Sequence, residues 1–199
     1  MKTFFLEIVI CLTAAMSLMI FHEGVKLVVY ACCHRSVRCF KTSPWKIWRY
    51  IDPIGLIIAL TSYVPVSKPY FFRVRERKIN IYLGVAGFLS LLSILVSSVI
   101  VLRMGYGGLD GLDHLVIHHW WESIVPIYVQ YMAMLSFGML VANLFPVSIF
   151  DMGLIIAGMS PKMYLGIIKS DGMVKIIFVI VLLFDVIHYG AVRLIALFL

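Results

Sequence analysis

Phe21-His22-Glu23-Gly24-Val25-Lys26 is the stretch of this chain with the clearest chemical content. A histidine and a glutamate stand side by side inside a long apolar run near the N-terminus. Ionisable side chains at membrane depth are costly and mark candidate sites. The spacing differs at one position from H-E-x-x-H, whose histidines at i and i+4 share a helical face and bind zinc. The glutamate of that motif is the general base for a metal-bound water. Here the fifth position is Lys26. A protonated lysine has no lone pair and repels a dication, and freeing one means deprotonating an amine of ordinary pKa about 10.4.

The elements that must hold these residues are membrane helices. The chain has 199 residues, 62% apolar and 14% charged, far from the balance of a soluble domain. Apolar runs near about 20 residues recur, enough to cross a hydrocarbon core. The reading is an all-α polytopic membrane protein in which residues 1–199 form a single membrane domain. Its helices are expected over about 3–31, 79–102, 124–142, 147–159 and 173–198. The formal charge of +7 does not point to nucleic acid. The basic residues flank apolar runs, which places loops 33–50 and 68–78 on the cytoplasmic side of a multi-pass protein. The first apolar run is expected to be retained, since it contains Glu7 and lacks a small-residue cleavage site.

Further along, Tyr50-Ile51-Asp52-Pro53-Ile54-Gly55 opens an apolar piece that is short for a span and punctuated by Pro53, Gly55 and Pro65. Like charge on both flanks predicts a re-entrant or strand segment over about 51–72, returning to the side it entered. Gly84, Gly87 and several serines in the next span allow close helix contact. His114, His118 and His119 lie in a loop expected outside the cytoplasm, where they read as a solvated linker before a metal or pH site. Cys32-Cys33-His34 with Cys39 fits no usual zinc spacing and reads as thiols at a membrane boundary. Asn143-Leu144-Phe145-Pro146 leads to Asp151, a second acid in apolar surroundings. Asp185 and His188 share a face of the last helix and read as a self-paired polar patch.

Three separated stretches, in order between residues 21 and 153, resemble the site-2 protease family of intramembrane zinc metalloproteases in its minimal form. They are His22-Glu23-x-x-Lys26, a degenerate HExxK form of the family's H-E-x-x-H; Tyr50-Ile51-Asp52-Pro53-Ile54-Gly55 with Pro65-Val66-Ser67-Lys68-Pro69; and Asn143-Leu144-x-Pro146 followed by Asp151. The resemblance implies a site-2-protease-like transmembrane core with His22 and Asp151 as metal ligands and Glu23 as catalytic base. It places Asn143 near the substrate or the developing oxyanion. Lys26 stands at the lost ligand position, Tyr50 where the family often has histidine, and Met152 between Asp151 and Gly153. Ala86-Gly87-Phe88-Leu89-Ser90-Leu91 keeps only part of an A-G-P-x-x-N signature.

Lys26 can be read as replacing the metal, its ammonium lying between Glu23, three residues back on the same face, and Asp151 across the fold. The leading reading is therefore a non-catalytic homologue that binds or regulates transmembrane partners in the bilayer, with no zinc. The second is an active zinc protease cutting transmembrane segments, with a third ligand taken from His188, Asp185 or His34. The third is an unrelated transporter or channel whose buried charges line a pathway.

Overall fold

A computed structural model of the chain describes residues 2–33, 49–69, 74–106 and 120–198. Its described residues are helical or irregular, with no strand among them. The helices are α1 (Lys2–Cys33), α2 (Pro53–Ser62), α3 (Arg77–Tyr106), α4 (Trp120–Leu144), α5 (Asp151–Met159), α6 (Pro161–Leu183) and α7 (Val186–Phe198). Three stretches are long and apolar enough to cross a membrane: Phe4–Cys33, Arg77–Tyr106 and Ile124–Leu144.

Local chemistry explains several of the helix ends. α2 starts where Asp52 Oδ1 accepts the Ile54 N–H at 3.1 Å, with Pro53 in the first turn. It stops at Tyr63, whose φ of 55° and ψ of 29° are left-handed, while the Tyr63 N–H still reaches the Ala59 carbonyl. Asp52→Ala removes the side-chain cap at the start of α2. It is expected to cost about 0.5–2 kcal/mol, read as a lower midpoint of thermal denaturation in mild detergent.

After Tyr63 the chain returns in extended form along α2, and the Lys68 N–H donates to the Tyr50 carbonyl at 3.2 Å. The expected doubling back of this segment is thus a helix followed by an extended limb, not a strand. Gly55 makes the approach feasible, since a Cβ there would run into the Val66 carbonyl. Gly138 of α4 does the same for the Tyr63 carbonyl.

The chain after α4 departs from the sequence expectation in two places. Residues 145–150 form a turn rather than the start of a helix at 147. The lack of an N–H at Pro146 and local bonds such as Val147 N–H to the Phe145 carbonyl at 2.8 Å keep helix from starting before Asp151. α6 then starts at Pro161, earlier than expected, because Ser160 caps it through the Met163 N–H at 3.4 Å. The last helical run is broken at Asp185, whose φ is 52°.

Packing centres on α3, which lies against α1, α4 and α5. Cys11, Ala14, Ala15 and Leu18 of α1 meet Leu91 of α3, with Leu135 and Met139 of α4 closing the cluster. Small residues bring α3 and α5 together: Gly84 faces the Asp151 carbonyl and Ile155, and Gly158 faces the Arg77 carbonyl and Ile81. In lipid such close approach supplies the packing that water would otherwise drive.

Candidate functional site

Five segments converge on the residues that opened the sequence analysis. α1 supplies His22, Glu23 and Lys26, all buried; α5 opens with Asp151, also buried. α3 adds Gly87 and Ser90, the returning limb adds Ser67, and the end of α4 adds Asn143.

Lys26 is the hub. Its Nζ lies 2.7 Å from Glu23 Oε1 and 3.1 Å from Asp151 Oδ1. A buried ammonium with two carboxylates at hydrogen-bonding distance answers the cost of burying each charge alone. Ser67 Oγ donates to Glu23 Oε1 at 2.8 Å, so the α2 hairpin is tied to the same cluster. Asn143 bridges backbone to backbone: its Oδ1 accepts the Asp151 N–H at 3.2 Å and its Nδ2 donates to the Met139 carbonyl at 2.9 Å. Asn143 therefore sets where α5 begins and with it the position of the Asp151 carboxylate.

The His22 ring is held from both sides. Ser90 Oγ donates its one proton to the Gly87 carbonyl at 2.7 Å and lies 3.0 Å from His22 Nδ1. Nδ1 is then the donor to Ser90, and Nε2 is the ring nitrogen that faces Asp151. That Nε2 lies 3.2 Å from Asp151 Oδ2, at ion-pair distance, and both atoms are buried with no other hydrogen-bond partner.

A zinc ion implied by the resemblance can be tested against this arrangement. Two ligand atoms on a tetrahedral zinc with bonds of about 2.0–2.1 Å lie about 3.3 Å apart. His22 Nε2 and Asp151 Oδ2 meet that spacing. The third place does not fit, because it holds the Lys26 ammonium, and Glu23 Oε1 is 3.9 Å from His22 Nε2 and engaged by Lys26 and Ser67. Among the described residues no three His, Cys, Asp or Glu side chains form a group able to hold a metal. As a set, the donors do not fit a catalytic zinc.

The other sequence candidates lie elsewhere. The His188 ring stacks on Tyr63 with centroids 4.7 Å apart, and Asp185 marks the helix break. Cys32 and Cys33 are exposed at the end of α1. His34, Cys39 and the histidines at 114, 118 and 119 fall outside the described residues. Sequence reasoning missed Ser67, Ser90 and the close approach of Gly87 to Asp151. Their only signal was small or hydroxyl residues in an apolar context, which is common in membrane helices. Comparison of the chain with family models, with curated proteins and with solved structures gave no match.

Proposed function

We propose that this chain is a site-2-protease-like membrane protein in which a lysine has taken the place of the catalytic metal, and that it binds transmembrane segments of partner proteins instead of cutting them. The observation that carries the reading is the Lys26 ammonium between Glu23 and Asp151. With that cation bound, Glu23 is engaged as a counter-ion and is not free to act as a general base. Partners in the membrane are supported by the apolar surface that the spanning helices leave exposed, such as Leu89, Leu92 and Val96 on α3. In a bilayer such faces meet lipid or another helix.

One observation favours a second reading. His22 Nε2 and Asp151 Oδ2 keep the separation of two metal ligands, and neither atom has another hydrogen-bond partner. An active zinc protease that recruits a third donor would use that pair.

Metal analysis of the purified protein separates the two. The wild type is expected to carry far less than stoichiometric zinc, and Lys26→His about one zinc per chain, since that substitution completes a three-ligand set. Stoichiometric zinc in the wild type overturns the proposal in favour of the second reading. A folded Lys26→His variant that takes up no zinc overturns the resemblance itself.

A further inference from the structure

A second polar cavity lies toward the other end of α1. Glu7 precedes His22 by fifteen positions, so about 22 Å of helix rise separates them. α1 has 32 residues and exceeds a hydrocarbon core of about 30 Å, which puts Glu7 near the boundary opposite the lysine cluster. Glu7 borders a cavity of about 280 Å³ between α1, α2 and α4, lined also by Phe4, Cys11, Leu60, Tyr63 and Tyr131.

The polar groups of this cavity are one carboxylate, two phenols and the Cys11 thiol. The Tyr63 and Tyr131 hydroxyls interact with each other, and whichever donates, both oxygens keep lone pairs and one O–H is left to donate. The Glu7 carboxylate makes no ion pair among the described residues. The rings are held in place: Tyr63 sits at a left-handed helix end and is stacked by His188 at 4.7 Å and by Tyr131 at 6.1 Å. The remaining lining is apolar. A carboxylate with no ion pair among the described residues, beside two phenol oxygens and an apolar floor, suits a cation that donates hydrogen bonds and carries a greasy stem.

From this geometry we infer that the Glu7–Tyr63–Tyr131 cavity binds a primary organic ammonium, with the carboxylate and phenol oxygens as acceptors. A single carboxylate is a poor seat for a hard metal ion, which collects several oxygen ligands. A quaternary ammonium needs open ring faces, whereas those of Tyr63 are engaged by its stacking neighbours. At headgroup depth the natural carrier of a primary ammonium is an ethanolamine phospholipid; a free alkylamine offers the same group from solution.

Native mass spectrometry of the full chain in detergent tests this with phosphatidylethanolamine, phosphatidylcholine and phosphatidylglycerol as probes. Phosphatidylethanolamine is expected to be retained over the other two. Glu7→Gln is expected to weaken its retention about tenfold, the loss of one charge-assisted hydrogen bond. Glu7 is exposed, so the variant is expected to melt like the wild type without lipid. Tyr131→Phe, which keeps the ring and removes one acceptor, gives a second and smaller loss. Hexylamine displacing the lipid at comparable concentration assigns the site to soluble amines, and failure to displace assigns it to the lipid headgroup. Equal retention of the ethanolamine and choline lipids, or unchanged retention in Glu7→Gln, overturns the inference.

Discussion

Lys26→Met is expected to lower the free energy of unfolding by about 3–5 kcal/mol, the cost of removing one partner from a buried ion cluster. Methionine keeps most of the volume and the apolar stem, so packing is nearly conserved and the loss is electrostatic. What remains is Glu23 and Asp151, two buried carboxylates with no cation between them. Chemical denaturation in mild detergent measures the change. A companion variant makes the cause visible. Adding Asp151→Asn to Lys26→Met removes one of the stranded charges, so the double variant is expected to lie well above the sum of the two single losses. Strict additivity would falsify the view that these side chains act as one unit.

The second large effect concerns a residue with no side chain. A Cβ on Gly87 would land on the Asp151 carboxylate, which cannot swing aside freely. Lys26 holds one of its oxygens, and Asn143 fixes the backbone amide at its root. Gly87→Ala is therefore expected to cost about 3 kcal/mol, overpacking added to a weakened ion pair. Gly24→Ala is the matched control, since nothing lies near a Cβ at that position of α1. It is expected to be neutral or to stabilise by about 0.5–1 kcal/mol through helix propensity. Equal effects at the two glycines would mean that α3 and Asp151 do not meet as described.

Helical membrane architecture was legible in the sequence because apolar length is a one-dimensional signal, and the three long spans lie where it places them. The doubling back between Tyr50 and Lys68 was legible too, through Pro53, Gly55 and Pro65 with basic flanks. Other features were not. The early start of α6 depends on Ser160 and Pro161 acting as a cap pair, a local signal easily hidden inside a charged loop. The break at Asp185 is a left-handed residue that no periodicity marks. At the site, the sequence offered His22, Glu23, Lys26, Asn143 and Asp151 as separate candidates. It could not say that Ser90 meets His22 or that Ser67 reaches Glu23. Both contacts join residues at least 44 positions apart, and a serine in an apolar run carries no label for its partner.

The brevity of α2 has a mechanical outcome for any surrounding bilayer. Ten residues rise about 15 Å, roughly half of a hydrocarbon core of about 30 Å. Ile54, Ile57 and Leu60 still point outward along that shortened flank. Acyl chains beside it must compress or tilt to match, at a fraction of a kcal/mol for each ångström of mismatch. A bilayer around this flank would thin beside the hairpin to match it.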